Sequence, residues 1–299
     1  MLHVHIERTD EYVKLTQKGL TKKIIDALHI EDLPAASTPA VGVLGKDPDG
    51  DPPNGTFNVP SVVGMLQYLC GHSRPDLGFA VSQVSRFTFD PKRSHEEALM
   101  RVGQYLKGTM NEGLILKPHA DLTSLEMDVH VDSDFMGLYG TEKKDDPDSV
   151  RSRTGYVIRV NKCPIVWCSK LEHSITTSTM MAEYYALSTA MREVLPLRDL
   201  VSTVAKGLGF DSECQTTFKT KVCEDNMGCL TLAQLEPGHN TPRSRFYDNK
   251  VHWFRQHVYD SNGRITVERC DTKNMIADTF TKACVKDTFE YLRKLLMGW

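Results

Sequence analysis

The chain has 299 residues, 40% of them hydrophobic and 25% charged. That composition excludes a disordered chain, and the length suits one large domain or two ordinary ones. Lysine and arginine number 36 against 39 acids, a net charge of -3, so a nucleic-acid partner would have to be met by locally clustered basic residues. Eight cysteines are present and none is spaced as C-x-x-C. Cys163 and Cys168 flank an apolar run, and Cys223 and Cys229 have no matching histidine pair. They are expected to be free, mostly buried thiols in a reducing compartment rather than zinc ligands. No signal peptide and no apolar run of membrane-span length is found, so a soluble, intracellular protein with no membrane partner is expected.

From the N-terminus, "EYVKLTQKGLTKKIIDALHI" predicts a short strand and then a helix, with Leu20, Ile24, Ile25 and Leu28 at helical spacing. Residues 31–58 are dense in Pro, Gly and Asp and predict a long surface loop. Helical periodicity then resumes, punctuated by Pro75, Pro91 and Gly108 into about three helices. Composition changes near residues 117–123. Short strands follow at "LEMDVHVD", "TGYVIRV" and "CPIVWCSK", then a long helix from about Thr179. Next come a strand at "TTFKTKVCED", a helix at "NMGCLTLAQLE", the basic segment "TPRSRFYDNKVHWFRQHVYD", a strand at "GRITVERC" and a last helix from about Lys273. This order predicts an α/β fold, a mixed sheet with helices packed on it, preceded by a mostly helical N-terminal segment. The boundary falls at residue 118, dividing the chain into residues 1–118 and 119–299.

Four carboxylates carry the chemical interest. In "VHVDSDFMG" the acids Asp132 and Asp134 share one face of an alternating strand, roughly 7 Å apart; a solvated strand end explains them as well as a metal site does. Glu183 is more informative. Leu187, Ala190 and Val194 follow it at i+4, i+7 and i+11, so it lies on the apolar, inward stripe, with Ser188, Thr189, Arg192 and Glu193 opposite. A carboxylate facing inward needs a positive partner. Asp225 closes a strand before a helix, where Asp is also a common cap, and Asp278 lies early in the last helix, where an acid suits the dipole. Several such hard oxygen ligands together are what Mg²⁺ requires.

Taken in order, "VPSVVGMLQYLCGHSRPDLGFAVSQVSRF" with "YLKGT" resembles the segment after the polymerase palm in copia-type (Ty1/copia) retrotransposon polyproteins. "VDSDFMG", "RSRTGYVI", "IVWCSK", "AEYYALSTAMRE", "CEDNMGCLTLA" and "NMIADTFTK" resemble that family's C-terminal ribonuclease H domain. The resemblance spans nearly the whole chain, with the motifs in family order. It implies that residues 1–118 are the C-terminal, thumb- or connection-like part of a reverse transcriptase. It also implies that residues 119–299 form a ribonuclease H-like domain, a five-stranded mixed sheet flanked by helices. By motif, the catalytic, metal-binding acids are Asp132, Glu183, Asp225 and Asp278, and Asp134 is a bystander.

The resemblance implies hydrolysis of the RNA strand of an RNA–DNA hybrid with two Mg²⁺ ions, or Mn²⁺ in their place. The remainder of the polyprotein, including palm and integrase, would be a partner, in the cytoplasm or in virus-like particles. Selectivity for the 2′-hydroxyl is expected around Thr177, Ser178 and Thr179. Phosphate contacts are expected from Arg151, Arg153, Lys170, Arg243 and Arg245, each of which solvated surface charge explains equally well. His252 matches a family histidine, and packing is its commoner role. Some positions depart from the family. Met180 and Met181 stand where Thr-Glu is usual, Phe246 stands where a histidine is common, and the loop at residues 137–153 is long. No Y-V-D-D-like acid pair occurs, so polymerase chemistry is not expected of this chain. The alternative function is a non-catalytic, nucleic-acid-binding or connecting part of a polyprotein.

Overall fold

A computed structural model describes residues 4–118, 124–210, 218–247 and 249–299. The chain divides into two compact units. The first comprises Met1–Lys117, Met136–Arg151 and Thr279–Trp299, and the second Pro118–Phe135 and Ser152–Asp278. Residues 136–151, most of the long loop, therefore belong to the first unit, as does the C-terminus.

In the first unit, strands β1 (His5–Arg8), β2 (Val13–Thr16) and β3 (Leu114–Leu116) form an antiparallel sheet in that order. Only the middle strand was predicted. β1 is exposed along its whole length and β3 has three residues, so neither carries a readable alternation of buried and exposed side chains. Helices α1 (Lys18–Leu28), α2 (Val59–His72), α3 (Gly78–Ser85) and α4 (Arg93–Gly108) supply the core through Ile24, Val62, Leu66, Leu99 and Leu106. Asn58 starts α2 by accepting from Ser61 N at 2.9 Å. A Cβ on Gly103 would stand 2.5 Å from the terminal methyls of Leu28 and Ile30, so α4 meets the end of α1 closely and a larger residue there would push those side-chain ends aside. The buried Arg74 carries an ion pair to Asp76 at 2.8 Å, and Tyr105 Oη donates to the same carboxylate at 2.6 Å.

The second unit is built on β4 (Glu126–Asp134), β5 (Arg151–Val160), β6 (Cys163–Ile175), β7 (Lys219–Glu224) and β8 (Ile265–Arg269), in the order β6-β5-β4-β7-β8. β5 runs antiparallel to β4, while β7 runs parallel to both β4 and β8. This is the mixed five-stranded sheet of a ribonuclease H-like fold. Helix α5 (Thr179–Gly207) packs on β4, burying Leu187, Ala190 and Val194 against Val129 and Val131. α6 (Met227–Gln234) and α7 (Phe254–Asp260) complete the core with Leu232 and Phe254.

Two local expectations are corrected. Ser188 is buried, because Trp253 covers it and donates Nε1 to its Oγ at 3.1 Å. The last helix does not run unbroken from Lys273. A 3-10 turn spans Thr272–Asn274, α8 is Asp278–Thr281, and α9 is Lys286–Met297. Met275, Ile276 and Ala277 between them are all buried, and three consecutive side chains cannot share one helical face. Among the described residues, no helix is long and apolar enough to cross a membrane.

Candidate active site

β4 lies at the centre of its sheet, and side chains on both of its faces are buried. Asp128, His130 and Asp132 are buried along with Met127, Val129 and Val131. A solvated strand end therefore does not describe Asp132, which is 4% exposed. The parallel register with β7 ends at His130↔Cys223. Asp132 and Asp225 each lie two residues beyond that pair and so emerge side by side at the same end of neighbouring strands. Glu183, also 4% exposed, enters from the second turn of α5. The start of that helix is fixed by Ser178, whose Oγ accepts from Met181 N at 3.2 Å.

Carboxylate oxygens of Asp132, Glu183 and Asp225 all lie within 4.8 Å of one another. Asp225 is only half-buried, so the group opens to solvent on that side. Three carboxylates so close repel unless a cation sits among them, and oxygen-only donors suit Mg²⁺ or Mn²⁺. Asp225 is not the helix cap. Asn226 takes that role, accepting from Gly228 N at 2.9 Å and Cys229 N at 3.1 Å. Asp225 instead accepts from Thr272 Oγ1 at 3.2 Å. Asp278, 6% exposed at the first residue of α8, lies outside the group of three.

One buried acid beside the site escaped the sequence reading. Glu224 accepts from Asn226 N at 3.0 Å and from Cys229 Sγ at 3.2 Å. Burial, helped by the charges of Asp225 and Asp132, pushes its pKa up to about 8, against those two hydrogen bonds. The alternation Thr220, Val222, Glu224, all three buried, was the signal that could have found it.

The remaining named residues are scattered. Thr177 and Thr179 are exposed beside the Ser178 cap. Arg243 and Arg245 are exposed around a 3-10 turn, next to Phe246, which is 84% exposed. Lys170 lies 3.6 Å from Glu172. Arg153 is buried and donates to Ser169 Oγ at 3.4 Å. Arg151 belongs to the first unit, paired with Asp148 at 2.9 Å. His252 is half-buried, with Nδ1 3.0 Å from Tyr184 Oη. Its surroundings and the Arg255 charge lower its pKa, which favours the neutral ring.

No family model matches the chain. Over 97% of its length it is 27% identical to the retrovirus-related Pol polyprotein from transposon TNT 1-94 of Nicotiana tabacum, covering 20% of that protein. It is 35% identical over 46% of its length to secreted RxLR effector protein 161 of Plasmopara viticola, covering 91% of that protein. The chain spans between 14% and 20% of the length of the transposon Pol polyproteins it matches. An N-terminal RNase H domain from Mycobacterium tuberculosis, solved as a fusion with maltose-binding protein, aligns with 57% of this chain and 98% of its own. Its identity is 15% and its TM-score 0.33, so the fold assignment rests on the sheet order and not on that superposition.

Proposed function

Because the chain belongs to the copia-type retrovirus-related Pol polyproteins of transposons, we propose that its second unit hydrolyses the RNA strand of RNA–DNA hybrids. One observation carries the reading: Asp132, Glu183 and Asp225, from two strands and a helix, bring carboxylate oxygens within 4.8 Å. Asp278 is the fourth acid, by family motif. These four side chains would hold two Mg²⁺ ions, which supply a more acidic attacking water and a stabilised leaving oxygen. Water attacks the phosphorus, the bond to the 3′-oxygen breaks, and the products are a 5′-phosphate and a 3′-hydroxyl. Thr177, Ser178 and Thr179, at the start of the helix that carries Glu183, would read the 2′-hydroxyl. Arg243 and Arg245, both exposed, would meet phosphate. The rest of a polyprotein, with its polymerase palm, is the proposed partner.

The test is release of labelled RNA from a hybrid in Mg²⁺, wild type against Asp132→Asn. Cleavage by wild type alone supports the reading. Equal cleavage by both would remove Asp132 from the site. A folded wild-type chain that binds the hybrid but leaves it intact would favour a non-catalytic, connecting module.

A further inference from the structure

A second cluster of ligand-bearing side chains lies beside the acids. His130 on β4 and Cys223 on β7 are register partners, and Cys270 follows the end of β8, the next strand, where its N donates to Glu224 O at 2.9 Å. One donor atom from each of the three lies within 4.8 Å of both others. Strand alternation puts His130 and Cys223 on the same sheet face as Asp132 and Asp225, one layer back, roughly 7 Å at the usual rise per residue.

We propose that His130, Cys223 and Cys270 bind one thiophilic divalent cation, with Zn²⁺ as the ion of choice. The chemistry of the donors separates this site from that of the acids. Two sulfurs and an imidazole suit Zn²⁺, whereas carboxylates suit Mg²⁺. The histidine supplies an independent observation. His130 is 6% exposed, and its Nδ1 is buried with no hydrogen-bond partner. An orphaned polar atom in that position is costly, and a metal bond at Nδ1 removes the cost.

The other ring nitrogen, Nε2, lies 3.4 Å from Asp128 Oδ2 and 3.3 Å from Arg159 Nη2. Nε2 lies between an acceptor, Asp128, and a donor, Arg159, and the proposal requires the tautomer with its proton on Nε2, toward Asp128, which leaves the Nδ1 lone pair for the metal. A carboxylate behind a ligating histidine is the usual outer support of a zinc site. Tetrahedral ligands of Zn²⁺ stand about 3.5–3.8 Å apart, so the cluster needs only small side-chain adjustments. Cys270 is half-buried, which leaves an entry path and a fourth position for water. A cation here would link β4, β7 and the end of β8 directly behind the acids.

The experiment titrates Co²⁺, a spectroscopic stand-in for Zn²⁺, into the full 299-residue chain. The protein is first reduced and stripped with EDTA, and excess Mg²⁺ occupies the acidic site. One equivalent of Co²⁺ should bring a near-ultraviolet thiolate charge-transfer band and tetrahedral visible bands, both abolished by Zn²⁺. Cys270→Ser, at a half-exposed position that tolerates the change, should weaken binding at least about 10-fold and reduce the charge-transfer band. Cys284→Ser and Asp132→Asn should bind as wild type does. Absence of the thiolate band from the wild-type chain would overturn the proposal, whether or not any variant folds. So would a folded Cys270→Ser variant with the wild-type spectrum. A Cys223–Cys270 disulfide in protein isolated with its thiols trapped would also refute it, replacing the metal site with a redox pair.

Discussion

Glu224 and Cys229 face each other across 3.2 Å, the thiol donating to Oε2, with neither side chain reached by solvent. The pair sits directly behind Asp225, where burial and the charges of Asp225 and Asp132 keep Glu224 protonated up to about pH 8, against a usual 4.5, even though the Cys229 thiol favours its charged form. The sign follows from proton counting. Between those values the folded chain keeps a proton that the unfolded chain releases, so stability is present below about pH 4.5 and is lost as pH rises toward 8. The difference is at most on the order of 5 kcal/mol. In denaturant unfolding with EDTA present, wild type should lose stability from pH 5 to pH 8, and Glu224→Gln, which stays neutral, should lose several kcal/mol less. The same slope in both proteins would show that Glu224 ionises normally.

Asp132 and Asp134 form the acidic pair whose members are hardest to tell apart by sequence. Asp132 joins Glu183 and Asp225, whereas Asp134 ends β4 opposite Arg153. Asp132→Asn should reduce hybrid cleavage by more than about 100-fold, beyond what loss of an outer-shell partner costs. Asp134→Asn should stay within about 10-fold of wild type. Initial rates at saturating Mg²⁺ decide the matter, and a larger loss from Asp134→Asn would reverse the assignment.

The strands of the second unit and the inward direction of Glu183 were readable because they depend on local periodicity. Three aligned buried positions on α5 were enough to orient the acid. The convergence of Asp132 with Asp225 was not, because 93 residues separate them in sequence and only the parallel pairing of β4 with β7 joins them. The His130, Cys223 and Cys270 cluster shows the same limit. Linear spacing argued against zinc, yet adjacent strands bring the donors together. Glu224 is poorly legible for a different reason, since an acid next to Asp225 at a strand end reads as solvated, and the packing of Cys229 against it buries it. The broken last helix reflects tertiary demand: burial of Met275, Ile276 and Ala277 outweighs a helical local pattern.

Arg243 and Arg245 lie exposed on one 3-10 turn beside the exposed ring of Phe246. Two cations flanking an aromatic face suit a nucleic-acid backbone with an unstacked base. Replacing both arginines by alanine should weaken hybrid binding. It should also flatten the plot of log K against log salt by about 1.5 to 2, the release of roughly two phosphate counterions. Fluorescence anisotropy between 50 and 200 mM salt measures it. Weaker binding with an unchanged slope would mean that these arginines do not meet phosphate.

Asn226 makes a separate test of how Asp225 is held. Its side chain caps α6 through Gly228 N and Cys229 N, and its own N donates to Glu224 Oε1. Asn226→Ala should cost about 1 kcal/mol from the lost cap. It also frees the adjoining Asp225 carboxylate to swing toward the uncapped amides, because Asp is itself a good cap. Cleavage should therefore fall several-fold at limiting Mg²⁺ and recover as Mg²⁺ is raised, since the metal draws Asp225 back. Asn226→Ser, which restores an acceptor, should recover both stability and the wild-type Mg²⁺ dependence. If Asn226→Ala loses stability but keeps the wild-type Mg²⁺ dependence, the cap serves the helix alone and the position of Asp225 is set elsewhere, with Thr272 the first candidate.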